Sequence, residues 1–446
     1  MKEVLIIGDG FAAAVMAAHL LRSGVASTSI AIVGPGEVGK GNAYGCDSQF
    51  FRLNIREDLP IIFSEDPLHF SSWAQENIND PHAKTDAGYF YRRQDFGRYV
   101  SGLIMRESKS SQPEHIKARV LGISGTEGFW NLELDDQSVL SAQHIIIATG
   151  NPPPTWPCEV SSPKTVKPSV ELIENPWTGS ALEVINPQEN IILLGGGLTA
   201  LDVINTLVER KHLGMIYVIS PRAVLPPAQA NWQRKVQPNW PQNLTPAKMI
   251  RFMRNYLPSA STASPEWQSA WEELRPNINT IWQQFSPHQK RSLFKRLGWL
   301  WNLYRFRASP QTIAAYEQLR AKNQIQFKLG RAKEIQYYQS QVKVLLANGA
   351  EVNGDRIINC TGVASDPLLR KLIEDQLAIF DPLGSGIAVD ENWRVLHAPQ
   401  KRWNTLRMIG PATMGSLGDV IAASAIAKQA EQLAAQISRG SFLNNL

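Results

Sequence analysis

Residues 4–13, Val4-Leu5-Ile6-Ile7-Gly8-Asp9-Gly10-Phe11-Ala12-Ala13, set four apolar residues directly against a G-x-G-x-x-A run. An apolar run of this length bounded by glycine predicts a short buried strand. The small-residue stretch that follows predicts a helix from about Phe11 to Arg22. In such a strand, turn and helix the first glycine makes the tight turn and the second lets the backbone approach a pyrophosphate. The final small residue lets the helix pack closely, and the free N–H groups at the helix start attract phosphate. Gly8, Asp9, Gly10, Phe11, Ala12 and Ala13 are therefore the first candidate nucleotide contacts. A second apolar strand at Ser29–Val33 completes the unit. It ends in Gly34, where an acidic residue usually meets a ribose hydroxyl, so Glu37 in the next loop is the substitute at hand.

The same logic recurs about 187 residues later. Asn190–Leu194 is apolar, Gly195-Gly196-Gly197-Leu198-Thr199-Ala200 repeats G-x-G-x-x-A, and a strand over Met215–Ser220 ends in Ser220-Pro221-Arg222. A hydroxyl followed by an arginine suits the extra 2′-phosphate of NADP(H) better than the bare ribose of NAD(H). Gly195, Gly197, Leu198, Thr199, Ser220 and Arg222 are the contacts expected there. Two further apolar strands end in Ala148-Thr149-Gly150 and Cys360-Thr361-Gly362, small residues able to bring the chain close to a nucleotide or across between domains.

Composition bounds the remainder. A chain of 446 residues is long enough for two joined domains, and its 43% hydrophobic and 19% charged content is that of a globular protein. No run approaches the roughly 20 apolar residues of a membrane span, and Glu3, Gly8, Asp9 and Gly10 interrupt the signal-peptide-like start. Cys46, Cys158 and Cys360 lie far apart with no C-x-x-C, which excludes a dithiol redox centre and fits a reducing, cytoplasmic setting. No metal-ligand spacing is present. The net charge of +5 is uneven: residues 231–310 hold twelve Lys or Arg against three acidic residues, with seven of the thirteen tryptophans. This segment reads as a mostly helical insertion. Its cations admit three uses: an entrance for anionic ligands, a peripheral contact with an anionic membrane surface, or a solvated face. Nucleic-acid binding is not expected, because the aromatic residues fall at helical packing intervals.

Residues 34–91 show no sustained helical or strand period, yet carry specific runs. Gly39-Lys40-Gly41-Asn42-Ala43-Tyr44-Gly45 with Leu53-Asn54 resembles the G-x-G-x-A-Y-G and Leu-Asn segments of the bacterial FAD/NAD(P)-binding protein family. Asp66-Pro67-Leu68-His69-Phe70 with Trp73 resembles its D-P-x-x-F-x-x-W, and Arg92-Arg93 with Gly97-Arg98-Tyr99 resembles its R-R-x-x-x-G-R-Y. Trp301 with Arg305, Arg307 and Pro310 resembles its W-x-x-x-R-x-R-x-x-P. The resemblance covers nearly the whole chain. It implies an α/β flavoprotein of two Rossmann-like dinucleotide-binding domains, with an NADP(H) domain inserted in the FAD domain.

The expected division is an FAD-binding part at 1–155, an NAD(P)H-binding domain at 185–350 including the insertion, and a C-terminal FAD part at 351–446. The resemblance further implies FAD, NADP(H) and a small-molecule substrate, in the manner of flavin monooxygenases, whose reduced flavin transfers one oxygen atom. It nominates Gly41 and Asn54 near the flavin, Asn54 as the catalytic candidate. The late strand that often ends Gly-Asp reads Ile409-Gly410-Pro411 here, leaving Gly410 as a contact and Asp419 as the substitute carboxylate. Two readings stay open: an NADPH-using oxidoreductase, most plausibly a monooxygenase, or a scaffold or sensor that kept the fold and lost turnover.

Overall fold

A computed structural model describes residues 2–46, 48–109, 111–162, 172–178, 180–233, 236–338 and 341–443. The opening residues form the expected strand, Lys2–Ile7, and helix, Phe11–Arg22. That strand sits inside an eight-stranded sheet. It pairs in parallel with Ile30–Val33 on one side and with Val139–Ile147 on the other. Beyond these lie the parallel neighbours Glu114–Ile116 and Lys401–Met408. Val4, Leu5 and Ile6 are fully buried because both faces of the sheet are covered. On one face Phe11–Arg22 packs against the long final helix, Ala423–Leu443.

The second unit forms a separate parallel sheet in the order Ile325–Leu329, Ile216–Ser220, Ile191–Leu194, Arg356–Asn359. A small, largely antiparallel sheet of Glu351–Gly354, Val342–Leu346, Ala332–Tyr337 and Glu159–Ser161 accompanies it. The segment expected to be a helical insertion contains Pro246–Tyr256, Pro265–Leu274, Ile278–Gln284 and Pro287–Arg305. Serine or threonine caps three of these: Thr245, Ser264 and Ser286, the last in a full capping box with Gln289.

Three expectations need correction. The boundary at 350/351 cuts the small sheet, because Glu351–Gly354 and Arg356–Asn359 both pair within the inserted unit. The chain leaves that unit only after Asn359. Within residues 34–91 there is a real helix, His69–Asn77, hidden because only Phe70 and Ala74 of its nine residues are buried. The final helix, which the sequence pattern places at Asp419–Arg439, begins at Ala423. The proline-rich stretch Pro152–Pro168, which the sequence marks as a crossing between domains, lies in part, from residue 163 onward, outside the described residues.

The two glycine turns are built alike. Gly8 has φ +121° and Gly195 φ +112°. Gly8 N–H donates to Val33 O (2.8 Å), and Gly195 N–H to Ile219 O (2.9 Å). A Cβ on Gly8 would lie 2.4 Å from the Ala148 carbonyl oxygen, and one on Gly195 2.5 Å from that of Cys360. Both positions are glycine for the same two reasons: left-handed backbone and no room. Gly197 differs, with φ −95° and nothing within 4 Å of an added Cβ. Gly8→Ala and Gly195→Ala are therefore expected to destabilise the fold by about 1–3 kcal/mol each, whereas Gly197→Ala stays near wild type. Thermal unfolding of the three variants checks the contrast.

Candidate dinucleotide sites

Sequential strand ends in the first sheet open into a cleft of about 1280 Å³. Its walls are the strand ends Ile7 and Val33, the glycine turn Gly8–Gly10, the loop Lys40–Gly45 and the crossing Ala148–Thr155. This is where an open parallel sheet binds ligands: outside the carboxyl ends of strands whose connections run in opposite directions. The helix behind the turn starts at Gly10 with no side-chain cap and no acidic residue in its first turn. Its first N–H groups thus face the cleft without an intramolecular acceptor, an anion-binding arrangement. Gly10 and Gly41 meet backbone to backbone, since a Cβ on Gly41 would lie 2.9 Å from Gly10 Cα. Thr149 Oγ1 is buried in the wall and has no hydrogen-bond partner. A glycine cradle, an uncapped helix start and an orphaned hydroxyl together fit the diphosphate and polyol portion of FAD.

Gly34, which denies the second strand its usual carboxylate, has a structural reason. A Cβ there would lie 2.7 Å from Asp9 Cβ and 2.9 Å from Asp9 Oδ2. Asp9 folds over the strand end, accepts the Gly36 N–H on Oδ2, and keeps Oδ1 free of any partner among the described residues. Asp9, in the middle of the glycine turn, thus fills the space beside the end of the second strand. Glu37, the expected substitute, is 67% exposed and paired with Lys40.

Of the other expected contacts, Gly8, Asp9, Gly10, Phe11, Ala12, Gly41, Ala148, Thr149 and Gly150 line the cleft. Ala13 is fully buried behind it, as its packing role requires. Three further candidates, Asn54, Gly410 and Asp419, are not among the residues that line this cleft. Asn54 lies beyond buried Leu53 and lines neither this cleft nor the apolar cavity described below. Gly410 is absent from the wall and donates its N–H to Gln429 Oε1 (2.9 Å); Pro411 lines the cleft instead. Asp419 is not free for a ribityl chain, because Arg305 Nε reaches its Oδ1 (2.8 Å) and Arg275 Nη2 its Oδ2 (2.9 Å). Its carboxylate is used up before any ligand arrives. Sequence reading missed Asn42, which donates to Asn151 O (2.9 Å), and Asp366, the N-cap of Pro367–Glu374 in the opposite wall.

The second site repeats the first in backbone form. Gly197 starts its helix with φ −95° and ψ −163°, close to the −84° and −164° of Gly10, and again without a cap. Leu198 and Thr199 open the helix. Ser220, at the end of the neighbouring strand, is buried, and its side chain faces Gly196. Arg222 is exposed and stacks on the Trp299 ring, 4.3 Å from its centroid. Thr361 hydrogen-bonds Asn359 Oδ1 through both N–H and hydroxyl, and Gly362 follows at φ +109°. The two crossings then run side by side: Ala364 N–H donates to Pro153 O (3.3 Å) and Asn359 Nδ2 to Thr155 O (3.0 Å).

The family-like motifs divide by role. Gly97 of the R-R-x-x-x-G-R-Y run sits under the Tyr44 carbonyl, 2.4 Å from an added Cβ, so two motifs lock each other. Phe70, Phe96, Tyr99 and Trp73 form one aromatic cluster against Phe11 and Tyr44. Arg93 pairs with Asp202 of the second unit (3.1 Å). The W-x-x-x-R-x-R arginines are internal: Arg305 holds Asp419, and Arg307 and Arg275 hold Glu272. Burial works against the charges of Asp419 and Glu272, but the neighbouring arginines outweigh it and hold both carboxyls below their ordinary range. Burial lowers Arg307 to about 10, still protonated at neutral pH.

Comparison with known proteins follows this geometry. Residues 5–152 match the family described as FAD-NAD(P)-binding. No curated protein matches the sequence. Among solved structures, the chain is similar to the ornithine N-hydroxylase of Kutzneria sp. 744, solved with reduced FAD, NADP+ and L-ornithine. Identity is 13%, 99% of this chain and 100% of that one are covered, and the TM-score is 0.63. It is similar to the FAD-bound cadaverine monooxygenase of the desferrioxamine pathway from Erwinia amylovora, at 14% identity, 98% and 94% coverage and a TM-score of 0.62. It also resembles Lactococcus lactis thioredoxin reductase, at 13% identity, full coverage of both chains and a TM-score of 0.53. The whole chain thus has the fold of the two-dinucleotide flavoproteins. Among the described residues no helix is long and apolar enough to cross a membrane, and no group of three or more His, Cys, Asp or Glu could hold a metal.

Asp419 provides a stability test. Asp419→Asn leaves Arg275 and Arg305 without their shared counter-charge, and a loss of about 3–5 kcal/mol is expected. Because the folded carboxyl titrates below its unfolded value, its contribution is complete above the ordinary aspartate range and is lost as pH falls through the folded value. Denaturant midpoints measured from pH 7 to pH 3 are expected to fall more steeply in wild type than in Asp419→Asn.

Proposed function

We propose that this chain is an FAD-dependent, NADPH-using oxidoreductase, with FAD in the large cleft of the opening unit and NADPH on the Gly195 unit. The observation that supports it is the duplicated turn: two glycines of the same conformation, each against the carbonyl of a crossing strand, each in front of an uncapped helix. FAD supplies the hydride acceptance; the chain supplies binding, orientation and shielding. Gly8, Gly10 and the helix start receive the diphosphate, Thr149 Oγ1 donates to or accepts from the cofactor, and Asp9 Oδ1 accepts a ribose hydroxyl in place of the missing second-strand acid. On the second unit Ser220 and Arg222 take the 2′-phosphate, with Trp299 holding the guanidinium flat.

Within this fold the reductase and monooxygenase branches separate on cysteine chemistry. A dithiol disulfide reductase needs a neighbouring thiol pair, whereas Cys46, Cys158 and Cys360 lie far apart in sequence and form no disulfide, with Cys46 and Cys360 buried. Burial also pushes the Cys360 thiol upward, away from the thiolate form. This favours the monooxygenase reading, in which NADPH and O2 are consumed, one oxygen atom enters a small substrate and the other leaves as water. A scaffold without turnover is the alternative, favoured by the absence of the usual acids at Gly34 and Gly410-Pro411; the position of Asp9 beside Gly34 supports nucleotide binding over its loss.

The test is spectroscopic. Purified protein titrated with FAD and then with NADPH in air is expected to show a bound-flavin spectrum that bleaches with NADPH. Bound flavin that NADPH never reduces would favour the scaffold instead. Arg222→Ala is expected to raise the KM for NADPH on the order of tenfold, about 1.4 kcal/mol, and to leave that for NADH unchanged. In the first site, Gly34→Glu alone is expected to weaken FAD binding by displacing Asp9, and Asp9→Gly combined with Gly34→Glu to recover it. Fluorescence titration of FAD with the two variants measures this.

A further inference from the structure

The helical insertion and the C-terminal segment line a second, half-open cavity of about 190 Å³, distinct from the nucleotide cleft. Met249 and Met253 of Pro246–Tyr256, Trp282, Leu297, Trp301 and, from the C-terminal segment, Ile421 are among its lining residues. Ile421 also lines the dinucleotide cleft, so one side chain separates the two spaces. Only two lining residues carry charge, Asp419 and Arg254. Asp419 is already neutralised by Arg275 and Arg305. Arg254 is exposed at the rim and has no ion-pair partner among the described residues. The cavity therefore offers an apolar interior and one unsatisfied positive charge at its edge, and holds no free carboxylate for a cationic ligand.

We propose that this cavity binds a small carboxylate with an apolar body, the size of one or two fused rings, with the body among Met253, Leu297 and Trp301 and the carboxylate at Arg254. The size follows from volume: an apolar cavity of about 150 Å³ stays dry and takes benzene, and this one is somewhat larger. The charge follows from Arg254 and from the closure of Asp419. A flexible thioether pair, Met249 and Met253, adapts to ligand shape. That this ligand is also the molecule oxidised rests on the reading of the chain as a flavin monooxygenase, and on Ile421 as the shared wall. The binding itself does not need that reading.

Calorimetry on the purified full-length protein, with and without saturating FAD, would use three probes of one shape: indole-3-acetate, neutral indole and cationic tryptamine. The expected order is indole-3-acetate tightest and tryptamine weakest. Arg254→Ala is expected to weaken indole-3-acetate roughly three- to fivefold, in keeping with an exposed ion pair, and to leave indole unchanged. Leu297→Trp, whose added ring occupies the cavity, is expected to abolish binding of all three, and Met253→Phe serves the same purpose should the first variant unfold. Absence of binding by any probe, tryptamine binding as tightly as indole-3-acetate, or binding untouched by a folded cavity-filling variant would each overturn the proposal. Flavin reduction by NADPH in the wild type is read separately. Reduction without carboxylate binding removes the cavity proposal alone, and carboxylate binding without reduction removes the redox reading alone.

Discussion

The contact on which the molecule depends is a glycine pressed against a carbonyl. At Gly8 and again at Gly195 the chain turns so close to a crossing strand that a single methyl group would collide with the Ala148 or Cys360 oxygen. This closeness brings the strand end, the helix start and the crossing to one point. The helix start can then meet phosphate with bare N–H groups, because no side chain intervenes and no cap competes. In contrast, the helices Pro265–Leu274 and Pro287–Arg305 are capped by Ser264 and Ser286.

This constraint is local in sequence, which is why it was legible. Val4–Ala13 and Asn190–Ala200 each contain their strand, turn and helix within about a dozen residues, and buried strands announce themselves as apolar runs. The exchange at Asp9 and Gly34 was not legible. Gly34 alone reads as a lost carboxylate, and only the fold shows that the Asp9 side chain fills its space. Asp419 shows the opposite error: a well-spaced acidic residue looked available, yet its partners, Arg275 and Arg305, come from the insertion more than a hundred residues away. Strand pairing likewise moved the boundary of the inserted unit, since Glu351–Gly354 belongs to a hairpin with Val342–Leu346 that no local pattern assigns to one domain or the other.

The charge of the insertion takes a different meaning once its side chains are placed. Arg275, Arg305 and Arg307 converge on Asp419 and Glu272, and Lys290 donates to the Ser416 carbonyl (3.1 Å). Four of the twelve cations of residues 231–310 thus belong to a largely buried network joining the insertion to the C-terminal segment, whereas Lys248, Arg251, Arg254, Arg291, Lys295 and Arg296 are exposed. Such a network adds little net stability over apolar packing, but removing one member leaves a buried charge exposed to no partner. Its effect is to fix register. It holds Gly415–Ile421, which edges the nucleotide cleft, against the helices of the insertion.

One helix shows what that register achieves. Pro287–Arg305, at 1.5 Å per residue, runs nearly 30 Å. Leu297, Trp301 and Arg305 fall at intervals of four along one face, the first two lining the apolar cavity and the third gripping Asp419. Trp299, on another face, supports Arg222 beside the second glycine turn. One helix thus touches Arg222, the apolar cavity and the C-terminal segment that edges the first cleft. Packed helices shift as units rather than deform, so a substitution that displaces Pro287–Arg305 reaches all three contacts together.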